Sequence, residues 1–148
     1  MDAKKLLLTT DLSEESLRPF AAVTSLACRL DLSVTLLHVV EDLAVAPHGA
    51  PLAPPLHAPN LVDELKRARA ILAERRCTLG DELDVAIDVV SASNVASAIV
   101  NYAEENGFDL IALSTHGRTG FRRMVMGSVV EKVLRQTNLP VLTFPRQE

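Results

Sequence analysis

The residues best suited to chemistry lie in one segment, from Ser114 to Ser128, which holds three glycines and three arginines. Because glycine lacks a Cβ, Gly117 and Gly120 allow the backbone to turn with positive φ and bring its N–H groups close to a ligand. Gly127 and Ser128 open a helical pattern, and the N–H groups at the start of a helix favour a phosphate. Ser128 can donate its hydroxyl to the same anion. The spacing therefore predicts an anion-binding segment.

Positive charge and one carboxylate accompany this segment. The three arginines are Arg118, Arg122 and Arg123, and Asp11 ends an earlier apolar run. A carboxylate repels phosphate, but it suits a ribose hydroxyl, an adenine amino group or a phosphate-bound magnesium ion. Taken singly, each feature is more typical of a turn, a helix cap or a solvated charged face. Their combination indicates a ligand site.

Composition limits the class of protein. The 148 residues fit one domain, and a hydrophobic fraction of 48% is ample for one continuous core. The net charge of −4 argues against nucleic acid and anionic membranes as partners, since both normally demand a basic face. The sequence shows no signal-peptide pattern and no apolar run of membrane-spanning length, so we expect a cytoplasmic protein.

Cysteines and histidines show no metal-ligand spacing. Cys28 and Cys77 form no CxxC pair, and Cys28 stands in a helical pattern typical of a small buried hydrophobe. His48 and His57 have no cluster of ligand residues between them. No metal site is predicted.

The elements that must position the candidate residues alternate between strand and helix. Apolar runs predict five strands, at residues 5–10, 32–40, 82–90, 109–114 and 139–144. Helical patterns separate them, and residues 42–59, which hold five prolines, predict a long flexible loop. The order predicts a single α/β domain over residues 1–148, an open parallel five-stranded sheet with helices on both faces.

Capping and apolar spacing locate the helices. The first has four apolar residues at helical spacing, Phe20, Val23, Ala27 and Leu30. Asp11 or Ser13 is expected to cap it, and Pro19 lies inside the pattern and is expected to kink it. Asn60 and Asn94 are expected to cap the second and third helices. The face of the second helix opposite its apolar stripe carries four basic residues, Lys66, Arg67, Arg69 and Arg75.

The segment STHGRTGFRRMVMGSVVEKVLRQTNLPVLTF resembles the C-terminal signature of universal stress proteins. In nucleotide-binding members, that signature is a glycine, two residues, a glycine, nine residues, and then Gly-Ser or Gly-Thr. This chain has Gly117 and Gly127-Ser128 at the matching positions, with Ser114 where the first glycine is usual. The opening KKLLLTTDLSEES resembles the family's first strand, with Thr9 where proline is common. The resemblance extends over the whole chain.

The resemblance implies a Rossmann-like fold of the adenine nucleotide α-hydrolase type that binds ATP, with Mg²⁺ as a possible companion, or another adenine nucleotide such as AMP. Thr10 and Asp11 would meet adenine and ribose, and Val39 would contact the adenine. The residues implied at the ribose and phosphates are Ser114, His116, Gly117, Arg118, Gly127, Ser128, Val129 and Val130. Because Asp11 and Gly127 lie at the ends of elements, we expect Gly127→Val or Asp11→Ala to abolish nucleotide binding and leave the fold intact, so that both residues are dispensable for the fold.

Three hypotheses for function stay open. The first is a nucleotide-binding stress-response regulator, in which loop 42–59 could fold over the adenine. The second is a dimeric stress protein that binds no nucleotide and acts through protein partners; the resemblance favours a homodimer paired through the terminal strand with Leu139, Val141 and Phe144. The third is an enzyme, but the chain has no Walker loop, GxGxxG or GxSxG motif. At most, weak ATPase activity or autophosphorylation is expected.

Overall fold

Five strands and four helices alternate along the chain in a computed structural model that describes residues 4–42, 61–80, 82–115 and 127–144. The strands are β1 (Lys5–Thr9), β2 (Ser33–Glu41), β3 (Val85–Ala92), β4 (Leu110–Ser114) and β5 (Val141–Phe144). The helices are α1 (Arg18–Leu30), α2 (Leu61–Cys77), α3 (Val95–Glu105) and α4 (Ser128–Gln136). The predicted order of elements is confirmed. Loop 42–59 and Asn60 lie outside the described residues, apart from Asp42. None of the described helices is long and apolar enough to cross a membrane.

The strands form one sheet in the order β3-β2-β1-β4-β5, and every neighbouring pair is parallel. The chain moves outward from β1 to β3 and then resumes at β4 on the other side of β1. Strand order therefore reverses between β1 and β4, where Leu6 pairs with Leu110 and Leu8 with Ala112. In open parallel sheets, ligands bind beyond the carboxyl ends of the strands at such a reversal.

The sheet separates two hydrophobic layers. Leu6 and Leu8 face α1 and α2, and Leu7, between them, faces α3 and α4. All three leucines are fully buried, because successive side chains of a strand point to opposite faces and both faces here are covered. The near-continuous apolar runs of the sequence are thus explained, and helices on both faces are confirmed.

Helix α1 departs from the sequence-based expectation at its start. Pro19 occupies its second position, where the N–H has no partner within the helix, so the expected kink was wrong. A short 3₁₀ turn, Glu15–Leu17, precedes the helix. The Ser13 hydroxyl accepts a hydrogen bond from the Ser16 N–H at 3.3 Å, so Ser13 caps this turn rather than α1.

The end of α1 also differs from the prediction. Leu30 is 54% exposed, because the helix stops there, the chain reverses at Asp31 with φ 53°, and Leu32 enters the core instead. Cys28 is exposed as well, so the expectation of a buried cysteine was wrong. Its neighbour Ala27 occupies the buried face, and one residue further turns the side chain about 100° around the helix.

Asn94 caps α3 as predicted, since its side chain accepts a hydrogen bond from the Ser97 N–H at 3.1 Å. Asp88 of β3 joins this helix to the sheet edge and to α2. Its carboxylate accepts hydrogen bonds from the Tyr102 hydroxyl at 2.9 Å and the Arg69 guanidinium at 3.2 Å. It also accepts the N–H of Val89 at 2.8 Å.

The Val89 N–H lies on the free edge of the sheet. The Asp42 N–H donates to the Ala92 carbonyl, so even-numbered residues of β3 direct their backbone groups toward β2. Backbone groups alternate in direction along a strand, and those of Val89 therefore point outward. A carboxylate paired with Arg69 covers this position, which blunts β3 as a template for another strand.

The ionisation of Tyr102 tests this network. Burial, then the hydrogen bond to Asp88 and its negative charge, raises the pKa of Tyr102 to about 12. The chain has one tyrosine, so tyrosinate absorbance reports on it alone. We expect a folded-state midpoint near 12, against about 10 in denaturant. Asp88→Asn should lower the folded midpoint while burial keeps it above the unfolded value, and Asp84→Asn should leave it unchanged.

The same shift gives a pH dependence of stability. The folded state keeps the Tyr102 phenol protonated. The contribution of this protonation to the free energy of unfolding is therefore complete below about pH 10 and is lost as the pH rises toward the folded-state pKa. Tyr102→Phe should therefore flatten the decline in the free energy of unfolding across that window, as measured by urea titration. An equally steep decline in the variant would contradict the assignment.

Candidate functional site

The strand reversal brings together two of the segments singled out in the sequence. Thr10 and Asp11 follow β1, and Ser114 ends β4. The β1–β4 register pairs Leu8 with Ala112, and extending it by two residues sets Thr10 beside Ser114. The two segments thus lie side by side at the carboxyl edge of the sheet, where open parallel sheets form their ligand-binding crevice. Val39, 8% exposed, lies on the neighbouring strand β2 and packs in the layer under α3 and α4.

Every polar group of Thr10 has a partner within the protein. Its N–H donates to the Leu37 carbonyl at 3.0 Å, and its carbonyl lies 2.8 Å from Nδ1 of His38. Its buried hydroxyl contacts the Ser16 hydroxyl at 2.7 Å and accepts the Leu12 N–H at 3.0 Å. Thr10 therefore shapes the turn that presents Asp11. His38 gave no functional signal in the sequence, because it lies inside an apolar strand.

Asp11 opens a short turn in which one carboxylate oxygen is already engaged. Its Oδ1 accepts hydrogen bonds from the N–H of Ser13 at 3.0 Å and from the Ser13 hydroxyl. Leu12, between them, has φ 66°, a left-handed conformation that is a true outlier for a bulky residue. The carboxylate is half-buried at the mouth of the crevice, where it can accept hydrogen bonds from a neutral donor.

The start of α4 is fixed directly beyond β4. The Gly127 N–H donates to the Thr115 carbonyl at 2.7 Å, so this amide closes the junction instead of facing a phosphate. A Cβ built on Gly127 would lie 2.9 Å from that carbonyl oxygen, closer than real Cβ contacts. Its φ is −71°, so glycine is needed for close approach rather than for conformational freedom. The expectation that Gly127 is dispensable for the fold is therefore wrong on steric grounds.

The next residues leave backbone donors at the crevice. No described side chain caps the N-terminus of α4, and the N–H groups of its first turn have no acceptor within the helix. Ser128 is exposed and Val129 is 37% exposed, whereas Val130 is buried at 3% and anchors the helix in the core. The Glu131 N–H donates to the Gly127 carbonyl at 3.1 Å and begins the helical ladder.

Three further predicted site residues, His116, Gly117 and Arg118, lie outside the described residues, as do Gly120 and the other two arginines. Within the described ranges, no group of three His, Cys, Asp or Glu side chains could hold a metal ion. The described crevice thus combines one carboxylate with a helix N-terminus. This arrangement suits a ligand that has neutral donors at one end and an anion at the other.

Gly127→Ala tests the junction between β4 and α4. The added Cβ must push Thr115 and Gly127 apart and weaken their hydrogen bond, because both contacting groups are backbone. We expect the free energy of unfolding to fall by about 1–3 kcal/mol in urea titration. Ser128→Ala, one residue on and exposed, is the matched control and should change it by less than about 0.5 kcal/mol. Wild-type stability in Gly127→Ala would contradict the steric role.

Comparison with known proteins agrees with this architecture. The sequence profile of the Universal stress protein family matches residues 3–145. Universal stress protein MJ0531 of Methanocaldococcus jannaschii is 31% identical over 149 aligned positions, covering 98% of this chain and 85% of that protein.

Two solved structures share the fold. A universal stress protein in complex with cAMP superposes with a TM-score of 0.68 at 20% identity, with 97% of each chain covered. The universal stress protein from Archaeoglobus fulgidus in complex with dAMP superposes with a TM-score of 0.66 at 16% identity, covering 97% of this chain and 98% of that one. With a family match over nearly its whole length and a five-stranded parallel sheet of the predicted kind, the chain belongs to the universal stress protein family.

Proposed function

We propose that this protein binds an adenine nucleotide, ATP or AMP, in the crevice between β1 and β4 and acts as a stress-response regulator. The observation that carries the proposal is the N-terminus of α4, which a 2.7 Å hydrogen bond from the Gly127 N–H to the Thr115 carbonyl ties to the end of β4, at the strand reversal. The cAMP and dAMP complexes of structural neighbours support an adenine nucleotide as the ligand class.

The nucleotide would lie with its phosphates at α4. The N–H groups of Ser128 and Val129, the Ser128 hydroxyl and the positive end of the helix dipole would bind them. Asp11, on the β1 side, would accept hydrogen bonds from the ribose hydroxyls or the adenine amino group. Val39 would bound the adenine from β2. Between these two ends, the ribose and phosphates would be contacted by His116, Gly117, Arg118 and the backbone of Ser114.

Magnesium fits this site only as an ion carried by the phosphates. Mg²⁺ is commonly held through one or two carboxylates together with substrate phosphates. Asp11 is the one carboxylate that we assign to the crevice, and its Oδ1 already accepts two hydrogen bonds from Ser13. We therefore propose that Mg²⁺ enters with ATP and is not needed for AMP.

The polar groups around the turn after β1 favour ligand binding over catalysis. Thr10, Asp11 and His38 all use ring, hydroxyl or carboxylate atoms to hold the protein's own chain. Groups held in this way keep the turn in one conformation before a ligand arrives, which favours affinity. A regulator that responds to nucleotide occupancy fits this arrangement better than a dedicated hydrolase.

Titration of nucleotide-stripped protein with Mg-ATP, AMP and Mg-GTP tests the proposal. We expect one site per subunit, a preference for adenine, and a higher melting temperature with ligand. Asp11→Ala should weaken ATP binding at least about tenfold, because a hydrogen bond to a charged group contributes roughly 1.5–3 kcal/mol. Asp84→Ala, an exposed carboxylate before β3, is the matched control. Absence of both heat and thermal shift at millimolar ATP would reject nucleotide binding and favour a partner-binding role.

We also propose a homodimer that pairs through β5. The Ile111 N–H donates to the Pro140 carbonyl at 3.0 Å and the Thr115 N–H to the Phe144 carbonyl at 3.2 Å, so even-numbered residues of β5 face β4. The backbone groups of Val141 and Thr143 therefore point outward. Within the described part of the chain, no side chain forms a hydrogen bond to these outward backbone groups. On β3, by contrast, Asp88 accepts the outward N–H of Val89 and pairs with Arg69. The partly buried strand, which continues from Leu139, suits addition of a second copy.

Thr143→Pro tests this interface, because proline removes only an outward-facing N–H and is tolerated on an edge strand. We expect the variant to sediment as a monomer at concentrations where the wild type is a dimer. Ser91→Pro removes the equivalent outward N–H on β3 and should stay dimeric. A dimer that survives Thr143→Pro but dissociates in Ser91→Pro would place the interface on the opposite edge, and a monomeric wild type would reject the proposal.

A further inference from the structure

The turn after Asp11 is held in a conformation that its sequence disfavours. Leu12 has φ 66°, and a bulky non-glycine residue keeps this strained left-handed conformation only where its surroundings enforce it. Its side chain packs against the core layer under α1 and α2. A strained residue beside a proposed binding carboxylate calls for a physical cause, and the cause lies in the groups that contact its backbone.

Two polar contacts hold the Leu12 backbone. Its N–H donates to the Thr10 hydroxyl at 3.0 Å. Its carbonyl lies 3.5 Å from Nη2 of Arg75, and the same nitrogen donates to the Glu14 carboxylate at 3.2 Å. The guanidinium thus contacts the turn on both sides of Ser13. Leu12 and Glu14 are thereby tied to a helical residue that is more than sixty positions away in sequence.

Arg75 is unusual among the basic residues of α2. Its side chain is 19% exposed, whereas that of Arg69 is 57% exposed. The backbone of α2 that carries Arg75 is held on both sides. Leu72 is fully buried one turn earlier, and the Thr24 hydroxyl donates to the Leu79 carbonyl at 3.0 Å just after the helix. The sequence places Arg75 on the α2 face opposite the apolar stripe, whereas in the structure its guanidinium contacts the turn between β1 and α1.

We infer that Arg75 is a positioning residue that holds Leu12 in its left-handed conformation and thereby presents Asp11 to the nucleoside end of the ligand. The inference rests on the proposed function, and it adds a residue outside the crevice to the binding apparatus. Loss of the guanidinium lets Leu12 relax to negative φ, which rotates the adjoining peptide and moves Asp11. Binding must then restore the turn, and the cost of that ordering lowers affinity.

Arg75→Met tests the inference, since methionine keeps much of the apolar stem and removes the donors. We expect adenosine and ATP to bind about tenfold more weakly, with the same fold-change for both, because the defect lies at the nucleoside end. Ser128→Ala should weaken ATP but not adenosine. Arg76→Met, the exposed neighbour, should bind both as the wild type does, and Arg75→Lys, which keeps one charged donor, should recover part of the loss.

Hydrogen exchange of the ligand-free protein gives a readout that does not depend on nucleotide. The Leu12 and Ser13 amides should exchange faster in Arg75→Met than in the wild type or Arg76→Met, while core amides of β1 are unchanged. Unchanged exchange at the turn overturns the inference even if nucleotide binding is found. Faster exchange with unchanged affinity also overturns it. Failure of the wild type to bind any nucleotide rejects the proposed function instead, and the positioning role with it.

Discussion

β1 lies between β2 and β4, and the two arms of the fold start from this central strand. One arm runs outward through β2 to β3, and the other begins at β4 and ends at β5. Because β1 and β4 pair directly and in parallel, the segments that follow them, with Asp11 after β1 and Thr115 after β4, leave the sheet at the same edge. The location of the candidate site is therefore a consequence of strand order, and its side chains only refine it.

Much of this arrangement is predictable from local pattern. Leu6, Leu7 and Leu8 are consecutive apolar residues, which indicated a strand covered on both faces, and Asn94 stood at helix-capping spacing. Such signals depend on neighbours within a few residues. The kink expected at Pro19 does not occur, because the effect of a proline depends on where its helix begins. A 3₁₀ turn precedes α1, so the helix begins only at Arg18 and Pro19 lies in its first turn.

The site was harder to predict than the fold, for a physical reason. The sequence singled out Gly127 as a phosphate-binding donor, but in the structure its N–H binds the Thr115 carbonyl and its lack of a Cβ permits that close approach, a relation that spacing alone does not encode. Arg75 looked like any solvated arginine of an amphipathic helix, because its acceptor belongs to a turn far away in sequence. Contacts between backbone and distant side chains follow from tertiary packing, so they become visible only once the sheet is assembled.

The two hydrophobic layers have a consequence for how such a protein can change over evolutionary time. The turn that carries Asp11 rests on the layer under α1 and α2, and the α4 N-terminus rests on the layer under α3 and α4. Since the sheet lies between them and the two clusters share no residue, substitutions in one layer and in the other are expected to act nearly additively. In the proposed complex, the orientation of Asp11 and the grip on the phosphates are thus separately heritable traits, whereas Val39 shares its layer with α4. Descendants of one ancestor could alter the hydrogen bonds that Asp11 makes to the nucleoside while leaving the phosphate end untouched.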